Sequence, residues 1–196
     1  MRYTKEHKQE TRLRIIETSG RRFKSDGIDG SGVATLMADA GLTNGAFYSH
    51  FESKDDLVAN VIADQLRIQH AGFSAQVGPG RAGLEQLVRD YLSPSHRDNR
   101  AEGCPNAALL DEIGRCGEET KQAYTDGVLA VADELAARLA PHDPASARVR
   151  ALGLLALLFG TLQLARALAE PRLSDQVLER GIEQALLLLD DGEGQG

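Results

Sequence analysis

Two stretches of this chain carry side chains whose types and spacing can do chemistry. Between Thr43 and Lys54, the residues Thr43, Asn44, Tyr48, Ser49, His50 and Lys54 bring hydroxyl, amide, imidazole and ammonium groups close together. Such groups suit phosphate oxygens and base edges. The second is Cys104, directly before Pro105 at the expected start of a helix, where the partial positive charge of the N-terminus favours thiolate. Cys104 is thus a candidate reactive thiol, with a small gap-filling core residue as the alternative. Cys116 lies further along the same expected helix, roughly 18 Å away by helical rise, so the two cannot bridge while that helix persists. Tyr91, Tyr124, Phe159 and Gln163 sit on otherwise apolar helical faces and, with Cys104, are candidates to line a ligand pocket or else simply to fill the core. The histidines His7, His50, His70, His96 and His142 are scattered. No metal or cofactor is expected. With no Gly-x-Ser-x-Gly motif and no glycine-rich phosphate loop, an enzyme is not expected either.

The elements that must position these groups read as helices nearly throughout, which gives an all-α fold of about nine helices. Leu13, Ile16, Gly20 and Phe23 form one face of a first helix, ended by Asp26, Gly27, Asp29 and Gly30. Val33, Leu36, Met37 and Ala40 make a short second helix that Gly41 stops, and Thr43 is placed to N-cap a short third one carrying Ala46, Phe47 and Phe51. Ser53 with Asp56 forms a capping box that opens a long fourth helix through Leu57, Val61, Ile62 and Leu66. Breaks at Gly78 to Gly83 and Ser93 to Gly103 separate amphipathic segments near 84–92, 106–116 and 119–140. Asp143 and Pro144 open a helix reaching about Ala169, and a last helix is expected from Ser174, with Leu173 and Leu178 as a hydrophobic staple. Residues 191–196 read as a disordered tail.

Composition sets the partners. The chain has 196 residues, 42% of them hydrophobic, and a net charge of −7. The first 25 residues hold eight Lys or Arg against three Glu, a local +5 that leaves −12 for the rest. A basic end on an acidic body suits a protein that offers one end to a polyanion. The charged start is not a secretory signal, and the apolar run Ala151 to Leu162 is too short to span a bilayer, so a soluble, cytoplasmic protein without a membrane partner is expected. Two free cysteines fit a reducing compartment.

Two short helices around the Gly41 turn match a helix-turn-helix, whose second helix presents its N-terminal residues to the major groove. Val33, Leu36, Met37, Phe47 and Phe51 would hold the pair together and leave Thr43, Asn44, Tyr48 and Ser49 facing outward. The stretch Val33-Ala-Thr-Leu-Met-Ala-Asp-Ala-Gly-Leu-Thr-Asn-Gly-Ala-Phe-Tyr-Ser-His-Phe-Glu-Ser-Lys-Asp-Asp-Leu57 closely resembles the DNA-binding signature of the TetR/AcrR family of repressors, a resemblance covering roughly residues 8 to 66. It implies a three-helix DNA-binding head at 1–52, a larger sensing and dimerisation domain at 53–190, and a homodimer on a pseudo-palindromic operator. It also implies backbone contacts from Tyr48 and His50, a phosphate contact from Lys54 at the start of helix four, and Thr43 and Asn44 at the opening of the recognition helix. For His50 a half-buried packing role stands beside the DNA role. Ser31 matches a position that caps helix two and touches phosphate, while Gly32 departs from the family's more common Ser or Thr.

Dimerisation is expected from the last two helices. Gly153, Ala156 and Gly160 leave one stripe nearly bare of side chain, and Leu178, Ile182, Ala185, Leu186 and Leu189 form a broad apolar stripe on the other. The expected function is a repressor released by a small, mostly apolar inducer. The alternatives are a repressor switched by oxidation or alkylation of Cys104, a helical thiol-dependent enzyme, and a helical interaction module without DNA. Replacing Cys104 with Ser separates the ligand-released repressor from the thiol-switched one, because only a thiol switch loses its induction.

Overall fold

The computed structural model describes residues 5–78 and 80–190; Arg2 and the expected tail at 191–196 lie outside them. Among the described residues the chain is all-α: α1 (Lys5–Asp26), α2 (Val33–Asp39), the 3-10 helix η1 (Asn44–Ser49), α3 (Lys54–Gln76), α4 (Gly80–Tyr91), α5 (Pro94–Asp98), α6 (Pro105–Arg115), α7 (Glu118–Leu139), α8 (Pro144–Ala167) and α9 (Pro171–Asp190). Two compact units emerge. The first joins Met1–Ile68 to Cys104–Gly127, and the second joins Gln69–Gly103 to Val128–Gly196.

The first unit closes on a core of Ile15, Ile16, Phe23, Leu36, Met37, Phe47, Phe51, Leu57, Val61 and Ile62, to which α6 adds Leu109 and Ile113. The buried residues of α1 are Thr11, Ile15, Ile16, Ser19, Gly20, Phe23 and Lys24. Leu13, expected among them, is 52% exposed; two adjacent isoleucines, Ile15 and Ile16, turn the apolar stripe away from it. The capping box at α3 forms, with Ser53 Oγ accepting from Asp56 N at 3.1 Å. Its carboxylate reaches back one residue further than expected, to Glu52 N at 2.9 Å.

In the second unit α8 and α9 pack along their length, α4 lies on α9, and α5 on α8. The expected break at Ser93 to Gly103 holds the one-turn α5, because Ser93 caps it and Pro94 occupies its first position. Asp143 caps α8 through Ser146 N, again with proline at the first position. Helix α9 begins at Pro171 rather than Ser174, since proline is tolerated in a first turn. Ser174 is buried instead, and its hydroxyl donates to Ala165 O at 2.7 Å. At 24 residues α8 is longer than its apolar run suggested, and by length and composition it could cross a membrane. Its apolarity is shared between two faces. Ala151, Leu154, Leu155, Leu158, Phe159, Leu162 and Ala165 are buried, while Val149, Leu152, Gly153, Ala156, Gly160 and Leu164 are exposed.

Candidate nucleic-acid interface

The turn between α2 and η1 is made by Gly41 at φ +70°, a left-handed conformation that glycine takes without a Cβ penalty. The element after the turn is a six-residue 3-10 helix rather than the short α-helix expected. Thr43 holds the N-cap position with extended backbone, but its side chain makes no capping bond. The segment is held from below by Phe47, fully buried, whose ring lies 5.8 Å from that of Phe51. Anchoring one side exposes the other. Thr43, Asn44, Gly45, Tyr48 and Ser49 all face outward, and Tyr48 is 77% exposed with its ring edge-on to Phe47. Ser49 Oγ donates to Ala46 O at 2.7 Å, which leaves its lone pairs outward. This row matches the sequence expectation.

His50 is half-buried beside a basic edge. Its Nδ1 is buried with no hydrogen-bond partner among the described residues. Burial first, then the charges of Lys8 and Arg12, hold its pKa below the ordinary value. The Arg12 guanidinium stands 4.6 Å over the ring of Phe51, a cation–π contact the sequence did not suggest. Imidazole is therefore the neutral form at pH 7 in the free protein. Because the unfolded chain takes up this proton first, the stability His50 contributes is complete above the ordinary value of 6.5 and is lost as pH falls toward the lowered folded-state value. Urea titrations at a series of pH values from about 8 down to about 5 should show this loss in wild type. It should be absent in His50→Gln, and identical profiles would show that His50 is not desolvated in the folded state.

Ser31 and Lys54 face the loop more than the solvent. Ser31 is 1% exposed, and its hydroxyl donates to Gly27 O at 2.7 Å. It supports the loop from inside instead of capping α2, whose N-cap residue Gly32 offers no side-chain cap. Lys54 Nζ donates to Ile28 O at 2.6 Å, which leaves two of its three donors for a phosphate. The same loop is gripped by a residue that no local pattern singled out. Glu112 Oε2 accepts from Ile28 N at 2.8 Å and from Asp29 N at 3.0 Å. Arg22 ties α1 to the end of α2 by a two-pronged pair with Asp39, at 2.7 and 2.9 Å. That pairing pulls the Asp39 carboxyl below its usual range.

The residues nominated for a ligand pocket divide between the units. Tyr91 and Phe159 meet in the second unit with ring centroids 6.1 Å apart, and His96 stands edge-on to Tyr91 at 4.7 Å. Gln163 is half-buried on α8. Cys104 and Tyr124 belong to the first unit. Cys104 is the N-cap of α6, 7% exposed, with its Sγ accepting from Asn106 Nδ2 at 3.3 Å. Burial pushes the Tyr124 hydroxyl up to about 12. A cleft of about 300 Å³ in the second unit is lined by Arg97, Asp98, Arg100, Arg166, Pro171 and Ser174, none of them nominated from sequence. Of the nominated dimer residues, Gly153, Ala156 and Gly160 are exposed, Ile182 and Leu186 are half-buried, and Leu178, Ala185 and Leu189 are buried inside the subunit.

Residues 15–61 match the family model of bacterial regulatory proteins, tetR family. The HTH-type transcriptional regulator TtgR of Pseudomonas putida is 41% identical over 70 residues, which cover 36% of this chain and 33% of that protein. The alignment thus spans about a third of the curated relative. Among solved structures, the reduced form of E. coli NemR superposes with a TM-score of 0.76 at 20% identity, covering 90% of this chain and 95% of that one. FadR of Bacillus subtilis in complex with stearoyl-CoA gives 0.66 at 16%, covering 92% and 98%. These likenesses extend the all-α fold along the chain, and in sequence its N-terminal head, residues 15–61, matches the DNA-binding head of the tetR family of bacterial regulatory proteins.

Proposed function

We propose that the protein is a transcriptional repressor that binds a pseudo-palindromic DNA operator as a homodimer and leaves it when a small, mostly apolar ligand binds. DNA contact is assigned to residues 1–52, and ligand sensing and dimerisation to 53–190. The observation that carries this reading is the row Thr43, Asn44, Tyr48 and Ser49, exposed over an aromatic anchor beside a basic edge. Thr43 and Asn44 would meet base edges, while Tyr48, Ser49, His50 and the remaining donors of Lys54 would meet phosphates. Homodimerisation is supported by the exposed apolar stripe of α8, Val149, Leu152, Gly153, Ala156, Gly160 and Leu164, with no charged residue inside it. An apolar inducer is supported by the aromatic pair Tyr91 and Phe159, and by FadR, a fold neighbour that holds stearoyl-CoA.

Footprinting on the duplex that the wild type enriches from a randomised pool tests the docking mode. Asn44→Ala should lose about 1–3 kcal/mol of discrimination at one base pair of each half-site. Lys54→Ala should weaken all sequences alike and flatten the salt dependence by about one unit per subunit contact. Unchanged base preference and salt slope in both variants would remove the assigned orientation. A second reading, in which alkylation or oxidation of Cys104 releases DNA, is supported by the Asn106 amide donating to its sulfur at the start of α6. Release of the duplex by an alkylating agent from wild type but not from Cys104→Ser would select it.

A further inference from the structure

We infer that Glu112 is a positioning residue for DNA binding, which acts from α6 by fixing the loop between α1 and α2 and, through it, the ammonium of Lys54. This inference rests on the proposed DNA-binding role of the head. After α1 ends at Asp26 the chain turns through Gly27 at φ +84°, where an L side chain is strained. The turn leaves the amides of Ile28 and Asp29 without helical acceptors; Ile28 is buried, so an orphan amide there would be costly, while Asp29 is exposed. One oxygen takes both. Glu112 Oε2 lies 2.8 Å from Ile28 N and 3.0 Å from Asp29 N, across 84 and 83 residues of sequence. From the other side Lys54 Nζ holds Ile28 O at 2.6 Å, with Ser31 N on the same carbonyl at 3.3 Å. The peptide groups of Ile28 therefore lie between an anion on the amide side and a cation on the carbonyl side, and each charge orders the loop for the other.

Packing makes this grip specific to α6. Ile28 is 5% exposed and shares the core with Leu109 and Ile113, the α6 residues flanking Glu112. The fit around the carboxylate is close: a Cβ on Gly27 would stand 2.9 Å from Glu112 Oε1. Removing the carboxylate frees the loop, and Lys54 then loses the carbonyl that sets where its ammonium points. An ordinary surface glutamate would have no such reach into the face that meets DNA.

The test compares wild type, Glu112→Ala, Glu112→Gln, Lys54→Ala and the Glu112→Ala/Lys54→Ala double variant on the duplex enriched by wild type, at several salt concentrations. Glu112→Ala should bind about tenfold more weakly and with a shallower salt slope, whereas Glu112→Gln, which keeps a neutral acceptor, should fall between. The double variant should bind measurably better than the summed losses of the two singles predict, because both act on one peptide. Hydrogen exchange of the Ile28 and Asp29 amides, measured without DNA, should quicken in Glu112→Gln. Should Glu112→Ala fail to fold, Glu112→Gln alone and with Lys54→Ala carries the same comparison. Unchanged exchange in Glu112→Gln overturns the clamp. Faster exchange with wild-type affinity and salt slope, or strictly additive losses in the double variant, overturns the positioning role. A wild type that enriches no duplex overturns the DNA-binding reading itself, while the exchange result still decides the clamp.

Discussion

Phe47→Ala should destabilise the first unit by about 3–5 kcal/mol and abolish specific DNA binding. Phe47 is fully buried, and it contacts the rings of Tyr48 and Phe51 at centroid distances of 5.2 and 5.8 Å. The segment it anchors is a six-residue 3-10 helix, too short and too poorly hydrogen-bonded to persist without tertiary packing. Truncation leaves a cavity in the core that Phe47 shares with the fully buried Leu36, Met37 and Leu57, and removes the only large residue of η1 directed into that core. Urea unfolding and binding to the enriched duplex measure the two effects. Tyr48→Ala is the control: at 77% exposure it should leave stability within about 0.5 kcal/mol of wild type while weakening DNA binding. A Phe47→Ala protein that loses less than about 1 kcal/mol would mean that η1 is held by something other than this aromatic anchor.

Gly160→Leu is the second large effect expected, and its force lies in what surrounds Gly160. Within one subunit a Cβ there meets nothing within 4 Å. The substitution should therefore leave the stability of an isolated subunit nearly unchanged. In the proposed dimer the same residue faces a partner helix, and overpacking should cost about 1–3 kcal/mol per site, felt twice across a two-fold axis. Gly181→Leu is the contrasting case: a side chain at Gly181 would collide with Thr161 where α9 meets α8, so it should lower subunit stability directly. Sedimentation of wild type and Gly160→Leu over a concentration series reads the first effect. Operator affinity should fall with dimerisation, because two half-sites are then engaged separately instead of through one linked pair. A monomeric wild type, or a Gly160→Leu protein that dimerises as tightly as wild type, would remove α8 from the interface.

Local pattern alone determined most of the head. Apolar spacing, the Gly41 turn and the Ser53 cap are short-range signals, since helix periodicity, left-handed φ and capping are properties of a few consecutive residues. They placed α2, η1 and α3 and the outward row Thr43, Asn44, Tyr48 and Ser49. The same signals placed α8 behind Asp143 and Pro144. What they could not decide was the direction of side chains whose partners are distant in sequence. Ser31 reads as a cap, yet it is 1% exposed with its hydroxyl turned inward to Gly27 O, four residues back across the loop. Leu178, Ala185 and Leu189 read as part of an unpartnered stripe, yet they are buried in their own subunit because α9 packs on both α4 and α8. The exposed apolar stripe is instead that of α8. Glu112 shows the limit most clearly: a single carboxylate on an amphipathic helix looks solvated in any local window. Only the packing of Leu109 and Ile113 into the core of the head brings it to the Ile28 and Asp29 amides. Tertiary structure decides there because a buried amide must find an acceptor, and the one it finds is 84 residues away.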